Sequence, residues 1–274
     1  LRRFNANLCQ RVTGNPNAPV ILDQLERSNL FLIALDDIQQ QPARGWYRYH
    51  HLFADVLQAG LSPEAESDIQ RIAAQWFEEQ GWAAEAIPYW LSAEDPRQAA
   101  RLIEGLAADL LKNGELQTLL GWLNALPRQD VDQNPEMVSY KALCLLMTGE
   151  IDQAQAYATQ AYQSFLGNAA TAGSGRLLAI QAWFASNTGS NRSAELAHTA
   201  LAQLAESDSF FRALSLISLG NFHAWSANLP ASSQVFREAW ELGKRMSHPF
   251  ITLGALANLT FNLLEMGQLR EAEM

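Results

Sequence analysis

Residues 219–232 read LGNFHAWSANLPAS. Within this stretch Leu229 is followed three positions later by the small residue Ser232, and Ala227 stands two positions ahead of Leu229. The same spacing recurs along the chain as Ala83/Ala86, Leu116/Leu119, Ile151/Ala154, Asn191/Ala194 and Leu269/Ala272. The first members lie 33, 35, 40, 38 and 40 residues apart. Leu119 is not small and Asn191 is not apolar, so two copies are imperfect. Where residues 219–232 have Ala227, the other copies have Gly81, Gly114, Gly149, Gly189 and Gly267. A fixed period of this size marks an array of helix-pair repeats. Everything after residue 60 therefore reads as stacked helical hairpins, which make an extended binding surface rather than a catalytic pocket.

The chain has 274 residues and is 48% hydrophobic, enough to bury a core without disulfides. Its two cysteines, Cys9 and Cys144, lie far apart. This favours a reducing compartment and thiols used as small apolar core groups. Neither has the nearby Cys or His that a zinc site requires, so no metal is expected. The net charge is −10, and the 19 basic residues are scattered. Displacing counterions from a duplex needs concentrated Lys and Arg, so direct nucleic-acid contact by these residues is not expected. No apolar run approaches the ~18 residues of a membrane helix, and no secretory leader is visible, so no membrane contact and a cytoplasmic location are expected. The chain opens on Leu1, and QLREAEM stops inside what should be a second repeat helix. A fragment of a longer protein is the expectation.

Residues 1–60 have a different texture. Phe4, Leu8 and Val12 recur at helical spacing up to Gly14, and residues 20–28 read as a second helix. Leu30–Leu35 and Trp46–His50 have strand character, with a polar turn around Pro42 and Gly45 between them, and HLFADVLQAGL returns to helix. Helix, helix, strand, turn, strand, helix is the order of a winged helix. Its second helix carries Asp23 and Glu26 against Arg27, the wrong sign for a phosphate-lined groove, so a packing role is expected.

Ser62-Pro63, Asp95-Pro96 and Asn134-Pro135 are helix starts, each pairing a capping side chain with a proline at the first helical position. Apolar stripes follow, and Trp76, Trp90 and Trp122 lie on them as core residues rather than a ligand box. Pro88 should kink its helix or shift its start, and Glu78-Glu79 reads as a solvated face. The expected domains are 1–60, 61–130 and 131–274. In the last, helices are expected over Pro135–Thr148, Ile151–Phe165, Arg176–Thr188, Ser193–Glu206, Ser209–Ser226 and Ala231–Arg245, with another starting at Pro249. GNAATAGSG, residues 167–175, reads as a flexible link.

The stretch LGNFHAWSANLPAS resembles the tetratricopeptide (TPR) pattern, with Gly220 at its tightly packed position and Ser232 at its small one. The fold class is thus mostly α: a small winged-helix module followed by a TPR-like α-superhelical repeat array. In the tetratricopeptide register the first helix of each pair faces the concave side, and the inner positions are Arg176, Trp183, Asn187, Asn221, Trp225, Phe261 and Glu265. Aromatic faces mixed with amides and charges suit a sugar or another small polar ligand. Ordinary packing between repeats is the alternative for Trp183 and Phe261.

LERSNLFLIALDD (25–37), WYRYHHLFADVL (46–57) and AAQWFEEQGWAAEAIPYWL (73–91) together carry a second resemblance. They resemble the central part of the MalT-like large ATP-binding LuxR-type transcription regulators, by motif up to residue 125 and by architecture beyond. The resemblance implies a nucleotide-binding ATPase module ahead of the winged helix, a TPR-like sensor after it, and a DNA-binding helix-turn-helix at the end of the whole protein. This sequence has no G-x-x-x-x-G-K-[ST] phosphate loop, its sole Gly-Lys pair being Gly243-Lys244 inside an apparent helix. ATP or ADP is therefore expected as the cofactor of a parent protein, with none in this fragment and no catalytic residue. In related STAND-type signalling ATPases a winged-helix histidine reaches the β-phosphate of ADP, and by resemblance His50 of His50-His51-Leu52 holds that place. The alternative is a histidine pair that caps local backbone. The expected function is the signal-sensing fragment of an ATP-dependent activator, with a small-molecule inducer or regulatory protein in the groove and self-association in the parent. A free-standing TPR-like protein-binding scaffold is the second reading.

Overall fold

The recurring glycine is the inner turn of each helix pair. In a computed structural model of the chain, which describes residues 1–28, 31–35, 45–165, 172–268 and 272, Gly81, Gly114, Gly149, Gly189 and Gly267 take left-handed φ values of 67–87°. Ala227 adopts the same conformation at φ 56°. At all six turns the following amide reaches back five residues: Trp82 to Phe77 O, Glu115 to Leu110 O, Glu150 to Leu145 O, Ser190 to Ala185 O, Asn228 to His223 O and Gln268 to Leu263 O, at 2.8–3.0 Å. The turn residue itself donates three residues back. This is the Schellman arrangement, which satisfies the last carbonyls of a helix while reversing the chain.

The elements run α1 (Ala6–Thr13), α2 (Ala18–Arg27), β1 (Leu32–Ala34), β2 (Tyr47–Tyr49), α3 (His51–Ala59), α4 (Pro63–Glu79), α5 (Ala83–Ser92), α6 (Pro96–Asn113), α7 (Leu116–Ala125), α8 (Arg128–Asp132), α9 (Pro135–Met147), α10 (Ile151–Phe165), α11 (Ala172–Asn187), α12 (Arg192–Gln203), α13 (Ser209–Trp225), α14 (Leu229–Met246) and α15 (Pro249–Glu265). They form two compact units, Leu1–Leu106 and Ala107–Met274, with the division falling inside α6. The fold is the expected mostly helical one, a winged-helix module and a TPR-like array.

In the first unit β1 and β2 pair antiparallel with Leu32 opposite Tyr49 and Ala34 opposite Tyr47. Phe4 is not helical. It makes a two-way backbone bridge with Tyr47, at 2.9 and 2.8 Å, and Asn5 then caps α1 by accepting from the Leu8 amide. The Phe4–Leu8–Val12 spacing misled because the cap residue lies between the first two. Trp46, Trp76, Phe77 and Trp82 gather ring against ring, joining β2 to α4 and the turn after it. Trp76 and Trp90 are core residues, as the stripes implied. Pro88 sits inside α5 without displacing its start at Ala83. Glu78 is no solvated residue: it accepts from Trp90 Nε1 and Arg101, tying α4 to α5 and α6. The polar turn expected around Pro42 lies outside the described residues, as do Leu30 and Leu269.

In the second unit the first helices α9, α11, α13 and α15 touch in succession, and α10, α12 and α14 pack behind them. A first helix is covered on almost every side, so Phe211 and the run Ala213–Gly220 are all buried. The covering helices are amphipathic and present small residues, with Ala154, Ala158, Ala197, Ala200 and Ala239 each 0% exposed. Gly220 and Ser232 hold the places the sequence assigns them. A Cβ at Gly220 would stand 2.5 Å from the Phe236 ring, and Ser232 Oγ donates to Gly220 O at 2.7 Å. In the copy beginning at Asn191 the buried small residue is Ser193 rather than Ala194, a slip of one position.

The link expected over 167–175 is corrected at its end. Residues 172–175 are the first turn of α11. Gly173 and Gly175 are small because a Cβ would stand 2.3 Å from Pro135 and 3.1 Å from Gln203, so close packing explains residues that read as flexible. Residues 167–171 lie outside the described set.

An L-residue in the left-handed region costs roughly 1–2 kcal/mol, against roughly 0.5–1 kcal/mol for the added backbone entropy of glycine. Ala227→Gly should therefore stabilise the chain, by up to about 1 kcal/mol in urea unfolding. A destabilised variant would show that the Ala227 methyl contributes packing the turn needs.

Candidate ligand site on the first helices of the array

Four of the seven expected groove residues come together around a serine that the sequence did not single out. Ser186, fully buried near the end of α11, donates through Oγ to Trp183 O at 2.8 Å. The same Oγ accepts from Asn221 Nδ2 at 3.3 Å, and the Ser186 carbonyl accepts from Trp225 Nε1 at 3.1 Å. Asn187 Nδ2 adds a bond to Trp183 O at 2.7 Å. The last turns of α11 and α13 are thereby stitched side by side. A serine in a helix usually bonds its own preceding turn, so its spacing carries no sign of this second, cross-helix role.

The geometry leaves usable groups. The Trp225 indole is held at its N–H edge yet 69% exposed, so its face stands as a fixed apolar plate. Asn187 is exposed and Asn221 half-buried, and each has its Nδ2 committed to protein. Their Oδ1 atoms take no hydrogen bond among the described residues and are left as acceptors. A pinned aromatic face beside two oriented amides can hold a ligand that combines a flat apolar side with polar edges.

Phe261 and Glu265 lie one turn apart on the same face of α15 and both are exposed. No hydrogen bond or ring contact joins them to the Ser186 cluster among the described residues.

Arg176 is elsewhere. It lies on the same stripe of α11 as Trp183 and Asn187, but 1.5 Å of rise per residue places its backbone about 16 Å from that of Asn187. Its Nε and Nη2 donate to Asp208 Oδ1 at 2.9 and 2.6 Å, and Nη1 is 3.6 Å from Glu136. The guanidinium also packs over the Tyr140 and Phe211 rings. The side chains of the Arg176–Asp208 pair are only 11% and 10% exposed. Arg176 is thus a buried tie from α11 to the starts of α9 and α13, and the structure does not bring it to the groove residues.

In the first unit His50 is exposed at the start of α3. Its amide donates to Phe31 O at 2.8 Å, its side chain caps nothing, and its ring lies 4.4 Å from that of His51. His51, not His50, lines a cavity of about 740 Å³ with Tyr49, Asp55 and Gln58. Burial pushes the Cys9 thiol up to about 11 and Cys144 up to about 12, so neither presents a thiolate nucleophile at neutral pH. Among the described residues no helix is long and apolar enough to cross a membrane.

Comparison with known proteins gives a consistent result. Residues 1–69 match the family model described as the MalT winged helix domain. The HTH-type transcriptional regulator MalT of Klebsiella pneumoniae (strain 342) is 28% identical over 249 residues, covering 89% of this chain and 27% of the relative. The MalT of Cronobacter sakazakii (strain ATCC BAA-894) is 28% identical over 276 residues, covering 99% of this chain and 30% of the relative. The chain therefore spans less than a third of the length of these relatives. Among solved structures, the apo form of the quorum sensor NprR from B. thuringiensis aligns with a TM-score of 0.51 at 11% identity, covering 97% of this chain and 73% of that chain.

Removing Arg176 would leave Asp208 buried without its partner. Arg176→Ala should lower the unfolding free energy by about 3–5 kcal/mol. In a double-mutant cycle Arg176→Ala and Asp208→Ala should couple by about 1–3 kcal/mol. Additive losses in urea melts would show that the ion pair does not carry the junction.

Proposed function

We propose that this MalT-like chain is the signal-sensing part of a larger ATP-dependent transcription activator, and that its inducer or regulatory protein lies against the ends of α11 and α13. Similarity to MalT regulators and a helical-repeat sensor fold support a regulatory, sensor-type domain. The finer reading rests on one observation: the Trp225 ring is fastened at its edge to Ser186 O yet 69% exposed. A large aromatic surface that is both immobilised and open loses little entropy on contact, which suits recognition. Phe261 and Glu265 on α15 would extend the surface along the array.

On this reading the ligand acts by population shift, binding one arrangement of the helix pairs better than another. The array would relay that preference to the winged-helix module, and self-association would follow in the whole protein. The chain would carry no catalysis of its own. ATP hydrolysis and promoter binding fall to parts of the whole protein outside residues 1–274, in the cytoplasm. His50, exposed at the start of α3, would meet bound ADP there.

Two measurements test this. Isothermal titration of the chain with a panel of neutral oligosaccharides and short peptides should yield a ligand, and Trp225→Ala should weaken it about tenfold or more, about 1.4 kcal/mol. Truncation also removes the Trp225–Ser186 bond, so the unliganded chain should lose only the roughly 0.5–1.5 kcal/mol of one hydrogen bond. Unaltered affinity would remove the groove from the account, and binding confined to peptides would favour the scaffold reading. In the whole protein, His50→Ala should raise basal transcription and speed ADP release. No change in either would leave His50 a surface residue.

A further inference from the structure

The second unit holds another cavity, at the far end of α13 from Trp225. It occupies about 330 Å³ between the last turns of α6, the turn from α12 into α13 and the turn from α14 into α15. Phe210 and Trp225 are separated by about 22 Å of helix at 1.5 Å per residue, so this cavity and the groove are different places.

His248 is its most informative wall. The residue is 6% exposed, its ring lies 4.9 Å from that of Phe210, and among the described residues neither Nδ1 nor Nε2 has a hydrogen-bond partner. Buried polar groups in native proteins are nearly always paired, so an imidazole orphaned at both nitrogens and lining a cavity points to a missing partner. His248 also occupies the N-cap position of α15 and gives that helix no side-chain bond. Asp208, the N-cap of α13, gives none either, because its carboxylate is held by Arg176. Both helices therefore turn uncapped, partly positive ends toward this region.

The charges agree. Lys112 and Arg245 are exposed on the walls, and neither makes an ion pair among the described residues. Asp109 is one carboxylate on the same wall, and Asp208 is neutralised by Arg176. Two unpaired cations against one unpaired carboxylate make a locally positive site in a chain of net charge −10. Phe210, Met246 and the Tyr140 ring add apolar surface, and Ser207, Ser209 and Ser247 add polar edges.

We propose that this cavity binds a small organic anion whose carboxylate or phosphate lies between Lys112 and Arg245, whose ring or apolar body packs on Phe210, and which hydrogen-bonds His248. Burial lowers the His248 pKa from its ordinary value, so the ring is neutral and offers one donor and one acceptor to the occupant. The volume falls at the lower end of small-ligand sites, of order 300–1,000 Å³. The site rests on none of the groove residues.

Phenyl phosphate and phenylacetate serve as probes, with phenol as the uncharged control. The readouts are isothermal titration and the imidazole proton signals of His248, identified by their loss in His248→Gln. At least one anion should move the His248 signals, and which one does so separates phosphate from carboxylate recognition. The double variant Lys112→Ala/Arg245→Ala, made on exposed side chains that leave the fold intact, should weaken that probe by at least about tenfold. Trp225→Ala should leave it unchanged. The proposal is overturned if neither anion perturbs His248 at millimolar concentration, if phenol binds as well as the anions, if the double variant binds normally, or if Trp225→Ala abolishes binding.

Discussion

The amide that reaches back five residues past a left-handed turn is the constraint on which this chain depends. At each of the six turns it satisfies a carbonyl that the preceding helix would otherwise leave open, and it starts the next helix on a reversed course. A side chain resists that backbone conformation, so glycine stands at five of the six positions. The period of the array is the distance between successive inner turns, and the same left-handed turn also serves between pairs at Glu94 and Ser247.

Packing follows from the turn. Each reversal lays a second helix against the first, and successive first helices then touch one another. A first helix with neighbours on both sides, such as α13, is enclosed on almost every side, whereas a covering helix such as α14 meets the array along one stripe of Ser, Ala and Gly with Phe236 among them. Small residues on that stripe let backbones approach. Ser232 Oγ reaches Gly220 O, and Asn262 Nδ2 reaches Ser232 Oγ at 2.7 Å, linking α13, α14 and α15 through one buried chain of bonds. The ends of the first helices escape this enclosure. Polar and aromatic groups can be presented there without disturbing the core, which is why both the Trp225 surface and the His248 cavity are found at helix ends.

Much of this was legible in the sequence because it is local. Gly220 and Ser232 show their roles by size and spacing, and the prolines at 63, 96, 135 and 249 mark helix starts that the structure keeps. Errors arose where one local pattern serves two structures. Phe4 fits a helical spacing but lies in a strand bridge. Gly173 and Gly175 look like a link but are small so that α11 can pack against Pro135 and Gln203. Glu78 belongs to a polar pair that reads as solvated, yet it bridges α4 to Trp90 and Arg101.

By itself the sequence determined the helix pairs, their period, the winged-helix order ahead of them and the side of α11 and α13 that faces outward. Those features depend on backbone conformations and a 3.6-residue periodicity that each segment carries alone. Only the tertiary structure decided which outward residues meet. A helical stripe specifies direction around an axis but not position along it, so Arg176 and Asn187 share a stripe and serve opposite ends of α11. Ser186 gained its role from Asn221 and Trp225 on another helix, and His248 is buried with its ring against that of Phe210. These outcomes belong to the distances between helices, which no single segment encodes.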